Sequence, residues 1–234
     1  MKTKIKAVLF DLDETLFDRK LAQKAVLVLM MKQLPEMFEG LKPERVLEAF
    51  LESDLVTTEV FNLGVPSDSM RNSRSKLFLQ LLGLDENHAG VITKMYVKDY
   101  PTVKTPVDGA VVLVKKLSKK MAVGVVSNGL PDVQYTKLET LGLRDLFSCI
   151  VLSEEFGVRK PDARIFHHAA SLLKLQPSEC LYIGDSYPID IIGAKNAGLQ
   201  ACWLNREGLK PQDENIRPDF VISKLQEFGA ILEH

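Results

Sequence analysis

IKAVLFDLDETLFD, residues 5–18, determines how the rest of the chain is interpreted. Its first part, residues 5–10, has the largely apolar pattern of a buried β-strand, and this pattern stops at Asp11. A second carboxylate, Asp13, follows two positions later, with Thr15 behind it. Open α/β sheets bind their ligands in the crevice beyond the carboxyl ends of their strands. The stretch therefore predicts a functional site at a strand end.

Two carboxylates at one strand end need a cationic partner. At a separation of about 4 Å and an effective dielectric constant near 20, they repel each other by roughly 4 kcal/mol. A strand followed by an acidic helix cap is the alternative explanation of DLDET, because aspartate is a favoured cap residue. The motifs later in the chain distinguish between a functional site and a simple helix cap.

The composition narrows the class of protein. The 234 residues suffice for one large domain, or for a domain with a second one inserted. The formal net charge of -1 gives no electrostatic footprint for nucleic acid or an acidic membrane surface, so we expect a small-molecule partner. No apolar run is long enough to span a bilayer, and the first strand begins too early to leave room for a signal peptide. We therefore expect a cytosolic protein, as a monomer or homodimer.

The three cysteines are odd in number, far apart and without a CxxC pair. This pattern argues against a disulfide framework and against a zinc site. We expect them to be buried thiols.

Helical periodicity with few strand patterns extends from about residue 19 to residue 100. Four helices are predicted: one that stops at Pro35, one that begins at Pro43, one over about 67–82 and one over about 87–99. This stretch predicts an all-helical insert.

From Val107 onward, helices alternate with apolar strands. The predicted strands are 121–126, 149–152, 180–183, 200–204 and an edge strand at 220–222, and the predicted helices are 108–118, 131–141, 163–173 and 189–197. Strands of continuous apolar residues between helices indicate a parallel sheet covered on both faces. We predict an α/β fold: a discontinuous Rossmann-like core domain of residues 1–17 and 101–231, with an all-helical cap domain, residues 18–100, inserted over the strand tips.

Polar side chains follow the other predicted strands or lie in their loops. They are Ser127, Asn128 and Gly129, then Lys160 in VRKPDAR, then Asp185 and Asp190 in GDSYPID. Each of them alone has an ordinary explanation, as a turn, a solvated loop lysine or a helix start. Because the carboxyl ends of parallel strands meet at one edge of the sheet, the ordered set predicts one convergent site.

Four motifs in this order resemble those of the haloacid dehalogenase-like (HAD) hydrolase superfamily. They are DLDET at 11–15, SNG at 127–129, KP at 160–161 and GDSYPID at 184–190, with a helical insert between the first two, as in subfamily I. The segment 138–161 and CWLN at 202–205 look most like the pyrimidine 5'-nucleotidases and the N-acylneuraminate-9-phosphatases. The resemblance implies a phosphatase that hydrolyses a small phosphorylated metabolite, either a nucleoside monophosphate or a sugar phosphate.

The resemblance also implies the roles of the acidic residues. Asp11 would attack phosphorus to give an aspartyl phosphate, and Asp13 would act first as general acid and then as general base. Asp11 would therefore start ionised and Asp13 protonated. A Mg²⁺ ion would be bound by Asp11, the backbone carbonyl of Asp13, Asp185 and, directly or close by, Asp190.

The remaining motif residues would bind the phosphoryl group. By resemblance, Ser127 and the N–H groups of Asn128 and Gly129 would hold its oxygens. Lys160 would be part of the catalytic and phosphate-binding set and would offset the carboxylate repulsion. In the cap, Arg74 is the candidate for substrate selection, on a similarity to the nucleotidases.

Several other reactions occur in the same superfamily. Dehalogenases and phosphonatases lack the acid two positions after the nucleophile, so Asp13 argues against both. A phosphomutase keeps both aspartates and stays an alternative. A non-catalytic phosphate-binding protein is the alternative outside enzymes, although mere binding would not need Asp11 and Asp13 together.

Overall fold

The chain divides into two compact units in its computed structural model, which describes residues 4–62 and 67–231. One unit lies within Met1–Arg19 and Lys104–His234, and the other within Lys20–Val103. The first unit is therefore discontinuous in sequence, and the second is an insertion. The role of the inserted unit as a cap stays a prediction.

A parallel β-sheet forms the centre of the first unit. In the described part of the chain it has six strands in the order β3-β2-β1-β4-β5-β6. The strands are β1 Ala7–Phe10, β2 Ala122–Ser127, β3 Cys149–Leu152, β4 Cys180–Gly184, β5 Gln200–Leu204 and β6 Phe220–Ile222. All five pairings are parallel, so the carboxyl ends of the strands lie at the same edge.

Strand β1 lies between β2 and β4, and its last residue, Phe10, is in register with Val125 and Ile183. All four side chains of β1 are fully buried, which explains why this strand is uniformly apolar. The first residue after it, Asp11, is thus placed at the middle of the carboxyl edge.

The inserted unit is helical. Its helices are α1 Arg19–Gln33, α2 Pro43–Asn62, α3 Ser67–Leu81 and α4 Ala89–Asp99, with short 3₁₀ turns at Glu86–His88 and Tyr100–Thr102. Helix α3 packs against α2 and α4. Between them lies an aromatic cluster in which Phe50 contacts Phe78 at 5.5 Å and Tyr96 at 5.0 Å between ring centroids. This cluster supplies the core of the unit.

Helices lie between the strands of the first unit and after the last of them. They are α5 Ala110–Leu117, α6 Pro131–Leu141, α7 Ser153–Phe156, α8 Ala163–Leu172, α9 Ile192–Asn196 and α10 Phe228–Ile231. Pro131 is the first residue of α6, and Gly142, with a φ of 66°, ends it. Asp162 caps α8 by accepting a hydrogen bond from the backbone N–H of Arg164.

The predicted fold class is confirmed: the core is an α/β parallel sheet with flanking helices, and the insert is helical. Some elements differ in detail. The predicted helix 189–197 is a π-helical turn, Tyr187–Ile191, followed by the short α9, and α7 was not predicted. Among the described residues, none of the helices combines the length and the apolar composition needed to cross a membrane.

Candidate active site

The loop after β1 folds back tightly and fixes the first two acids. The N–H of Asp11 donates to the carbonyl of Ile183 at 2.9 Å, which continues the sheet by one residue. The N–H groups of Leu16 and Phe17 both donate to the Leu12 carbonyl at 2.8 Å. Glu14 adopts a positive φ of 57°, uncommon for a residue other than glycine. Backbone bonds therefore hold this loop in one conformation.

Lys160 is the cationic partner of Asp11, the first of the two carboxylates that follow β1. Its ammonium group donates to Asp11 Oδ1 at 2.6 Å, to Asp190 Oδ1 at 2.7 Å and to the hydroxyl of Tyr182 at 2.8 Å. These bonds use all three of its hydrogens. Asn128 fixes the lysine backbone, because its amide accepts from the N–H of Lys160 at 2.9 Å and donates to its carbonyl at 3.0 Å.

Three carboxylates meet beside this lysine. One oxygen each of Asp11, Asp185 and Asp190 lies within 4.8 Å of the others. Thr15 donates to Asp185 at 3.3 Å, and the N–H of Ser186 donates to Asp190 Oδ2 at 3.0 Å. We call Asp11, Asp185 and Asp190 the acidic triad.

Gly184, the last residue of β4, makes room for the triad. A Cβ atom at this position would lie 2.5 Å from the carboxyl carbon of Asp190. Only glycine therefore allows Asp190 to approach the strand end this closely. Close packing against Asp190 thus explains why the GDSYPID motif begins with glycine.

The charges of the triad are not balanced by Lys160 alone. Burial, against the opposing charge of Lys160, raises the pKa of Asp11 from its ordinary 3.8 to about 7. Burial and the charges of Asp190 and Asp11 raise the pKa of Asp185 to about 8. Burial opposes the charge of Lys160, but Asp11 and Asp190 outweigh it and raise the pKa of Lys160. Oxygen donors in this electrostatic state fit a hard divalent cation such as Mg²⁺.

Asp13 belongs to a second cluster, formed with helix α6. Lys137 donates to Asp13 Oδ1 at 2.5 Å, and Gln134 donates to Asp13 Oδ2 at 2.8 Å. Burial opposes the charge of Asp13, but Lys137 and Arg19 outweigh it and lower the pKa of Asp13. Gln134 also donates to the hydroxyl of Ser127 at 2.8 Å. The cluster thus connects the second acid to the end of β2.

The pKa directions of Asp11 and Asp13 are the reverse of those expected for the reacting enzyme. A cation at the triad would lower the pKa of Asp11, and a phosphate dianion near Asp13 would raise the pKa of that residue, because charge of opposite or like sign shifts a carboxyl group in these directions.

Of the nine predicted site residues, eight lie in the described part of the first unit, and the structure brings these eight together. Asp11, Asp185, Asp190 and Lys160 form one group, Asp13 and Ser127 another, and Asn128 and Gly129 follow Ser127 in sequence. The N–H of Gly129 donates to Ser127 Oγ at 3.1 Å.

Arg74 lies in the helical unit. It is buried, its Nη1 lies 3.0 Å from Asp54 Oδ1, and its guanidinium lies 4.1 Å from the ring centroid of Tyr96. Gln23 donates to the other Asp54 oxygen at 3.0 Å. These contacts of Arg74 are internal to the helical unit. The role of Arg74 in substrate selection stays a prediction.

The sequence reasoning missed Gln134, Lys137 and Tyr182. All three side chains are buried, at 0%, 2% and 0% exposure. In α6 the buried positions are Gln134, Lys137, Leu138 and Leu141, at helical spacing. Two polar side chains in an inward-facing stripe are the pattern that could have revealed them.

Comparison with known proteins gives the family. The family model of the haloacid dehalogenase-like hydrolases matches residues 5–198 of this chain. The chain is 30% identical to the pyrimidine 5'-nucleotidase YjjG of Escherichia coli (strain K12) over 230 residues, 96% of each chain. It is 24% identical to the N-acylneuraminate-9-phosphatase of Homo sapiens, over 99% of this chain and 95% of that one.

Solved structures agree with the sequence comparison. The magnesium-bound putative HAD-hydrolase YfnB of Bacillus subtilis has a TM-score of 0.85 and 26% identity, covering 99% of this chain and 100% of that one. A 2-haloacid dehalogenase from Pseudomonas syringae has a TM-score of 0.67 and 25% identity, covering 98% of each.

The chain belongs to the haloacid dehalogenase-like hydrolase family. Its relatives include a pyrimidine 5'-nucleotidase and an N-acylneuraminate-9-phosphatase, which confirms the resemblance found in the motifs.

Proposed function

We propose that the protein is a Mg²⁺-dependent phosphatase that hydrolyses a small phosphorylated metabolite through an aspartyl-phosphate intermediate. The observation that carries this proposal is the position of Asp11, which is bonded to Lys160 at 2.6 Å while Asp13 is held separately by α6. Two carboxylates in different environments can perform two roles in one reaction.

In the first step, one oxygen of Asp11 attacks phosphorus in line, and the bond from phosphorus to the ester oxygen breaks. Asp13 gives its proton to the departing alkoxide. In the second step, water attacks the aspartyl phosphate and gives a proton to Asp13. The bond between phosphorus and Asp11 breaks, which returns both carboxyl groups to their starting states.

The phosphoryl oxygens carry the charge that develops in these steps. Lys160 supplies a fixed positive charge next to Asp11, and Ser127 supplies a hydroxyl at the end of β2. The backbone N–H groups of Asn128 and Gly129 complete the proposed phosphate-binding set, although the N–H of Gly129 donates to Ser127 Oγ at 3.1 Å and would have to exchange that acceptor for a phosphoryl oxygen. Donors that need little rearrangement stabilise the transition state most effectively.

Magnesium would be held by the carboxylates of the acidic triad and by the backbone carbonyl of Asp13. When bound, it would neutralise charge on the phosphoryl group and on the triad. The magnesium bound to the similar YfnB supports magnesium as the ion.

The named relatives support a phosphate monoester as substrate. Nucleoside monophosphates and sugar phosphates are both proposed, since one relative is a pyrimidine 5'-nucleotidase and another an N-acylneuraminate-9-phosphatase. Asp13 favours phosphate chemistry over the dehalogenation that its structural relative performs, because an acid is needed to protonate an alkoxide. A phosphomutase, which keeps both aspartates, is the alternative. The cytosolic location and the oligomeric state stay predictions.

The test is release of phosphate from a panel of pyrimidine and purine monophosphates and sugar phosphates, with Mg²⁺ and with a chelator. Metal-dependent release is expected from one class. Asp11→Asn should lower kcat at least about 1,000-fold by removing the nucleophile, while Asp145→Asn, at an exposed position, should leave it unchanged. Full activity of a folded Asp11→Asn protein would contradict the covalent mechanism, and transfer of phosphate between sugar positions would favour the mutase.

A further inference from the structure

The side-chain amide of Gln134 lies between two proposed functional groups. Its Nε2 donates at 2.8 Å to Asp13 Oδ2 and, at the same distance, to Ser127 Oγ. Both hydrogens of the amide are therefore used. A single planar group thus sets the separation between the second acid and the hydroxyl at the end of β2.

Gln134 is locked in this place. Its side chain is fully buried, and a Cβ atom on Gly129 would lie 1.8 Å from its Nε2. Its Oε1 has no hydrogen-bond partner in the described part of the chain. The opposite orientation of the amide would bring that oxygen against Asp13 Oδ2, so the observed orientation is the one that suits an ionised Asp13.

The hydroxyl of Ser127 is oriented by the same contacts. Its oxygen accepts from Gln134 and, at 3.1 Å, from the N–H of Gly129. Two N–H donors occupy the two lone pairs of a hydroxyl oxygen. The O–H hydrogen of Ser127 is then the part of the group that can donate to a phosphoryl oxygen.

The carboxyl group of Asp13 is held at both oxygens. Lys137, one helical turn after Gln134, donates to Oδ1, and Gln134 donates to Oδ2. Rotation of the carboxyl group would break at least one of these bonds. Proton transfer to a leaving group depends on such fixed geometry, since a general acid must lie within hydrogen-bond reach of the oxygen that it protonates.

We infer that Gln134 is a positioning residue, which aligns Asp13 with the leaving group and at the same time aims the hydroxyl of Ser127 at the phosphoryl group. The inference rests on the proposed phosphatase function. The amide takes no proton itself. It acts through the two groups that it holds.

Leaving groups of different quality separate the two roles. An alkyl phosphate such as glycerol 3-phosphate expels a poor leaving group, which needs a proton from Asp13. p-Nitrophenyl phosphate expels a stable phenolate, which does not. The quantity to compare is kcat/KM, because it includes only the steps up to departure of the leaving group and excludes hydrolysis of the aspartyl phosphate.

Gln134→Met keeps the length of the side chain and removes both donors. The kcat/KM for the alkyl phosphate should fall about 100-fold, the lower range of a general-acid contribution. For the aryl phosphate it should fall by no more than about 5-fold, through weaker phosphate binding by Ser127. Gly129→Ala, which displaces the amide without removing it, should shift the ratio in the same direction.

Two controls keep the result interpretable. Tyr135→Phe, on the same helix, removes a hydroxyl bonded to Glu155 and should change neither constant. Thermal unfolding should show that every variant is folded under assay conditions. If Gln134→Met does not fold, Gln134→Glu replaces it: the substitution keeps the shape of the side chain, exchanges both donors for a carboxylate facing Asp13, and should show the same unequal losses for the two substrates.

Equal losses for both substrates in a folded Gln134 variant would overturn the positioning of Asp13. Unchanged constants for both substrates would overturn the inference entirely. A wild-type protein that hydrolyses neither substrate, nor any member of the panel above, would instead contradict the proposed function, so the two failures are distinguishable.

Discussion

Tyr182→Phe tests how much the buried hydroxyl of Tyr182 contributes to the stability of the site. The substitution removes one hydroxyl from the middle of β4. That oxygen accepts from Lys160 Nζ at 2.8 Å and donates to the carbonyl of Val126 at 2.9 Å, directly before Ser127. The ring stays, and it packs edge-on against Phe166 at a centroid distance of 5.0 Å.

The expected loss follows from these two bonds, which are shorter than the third contact of the hydroxyl, 3.2 Å to Asp190 Oδ1. A hydrogen bond to a charged group contributes about 1.5–3 kcal/mol, and a neutral one about 0.5–1.5 kcal/mol. No large cavity forms, because only the oxygen is lost. We therefore expect Tyr182→Phe to lower the free energy of unfolding by about 2–4 kcal/mol.

Urea unfolding measures this change, and the chain provides a matched control. The hydroxyl of Tyr135 donates a hydrogen bond to Glu155 at 3.0 Å, and this bond is exposed. Tyr135→Phe should therefore cost less than about 1 kcal/mol. A loss at Tyr182 as small as that at Tyr135 would refute the reasoning, because it would mean that the buried hydroxyl does not anchor Lys160.

Two further predictions concern buried charges. Arg74→Ala should lower the free energy of unfolding by about 3–5 kcal/mol, because it removes the cation that lies 3.0 Å from the buried carboxylate of Asp54. Urea unfolding measures this loss, and a value below about 1 kcal/mol would show that the ion pair is dispensable. The metal-free protein should become less stable as the pH rises from about 4 to about 7, since Asp11 in the folded state has its pKa raised from 3.8 to about 7 and so binds more protons than the unfolded chain in this window. Each unit of pKa shift corresponds to about 1.4 kcal/mol, so the loss should amount to a few kcal/mol. Urea unfolding with chelator at several pH values measures how the free energy of unfolding depends on pH. Asp11→Asn should reduce this dependence. An unchanged dependence in that variant would show that Asp11 is not the group responsible.

The backbone of the site was predictable because local patterns encode it. An apolar run that ends at Asp11 defines a buried strand, and alternating helices and strands define a parallel sheet. The carboxyl ends of parallel strands lie at one edge, which is enough to bring Lys160 and Asp185 towards Asp11 without knowledge of their contacts.

The side-chain partners were not predictable in the same way. Gln134 and Tyr182 act through contacts to residues 121 and 22 positions away in sequence, respectively. Helical spacing could show that Gln134 faces inward, but no local periodicity identifies the distant residue that it contacts. The short α7 and the π-helical turn at Tyr187–Ile191 were also missed, because elements of four or five residues are too short for helical periodicity to be recognised.

The central position of β1 has a consequence for how the protein is made. Ala7 pairs with Ala122 on one side and with Cys180 on the other, so both neighbours of the first strand are synthesised long after it. Contacts between residues so distant in sequence form slowly, because a long loop must close before they contribute. The inserted unit, Lys20–Val103, is by contrast continuous in sequence, so all of its own segments are available as soon as it has been synthesised. During translation, the apolar first strand therefore stays without its two sheet partners until β2 and then β4 have left the ribosome, and its exposure in that interval favours aggregation.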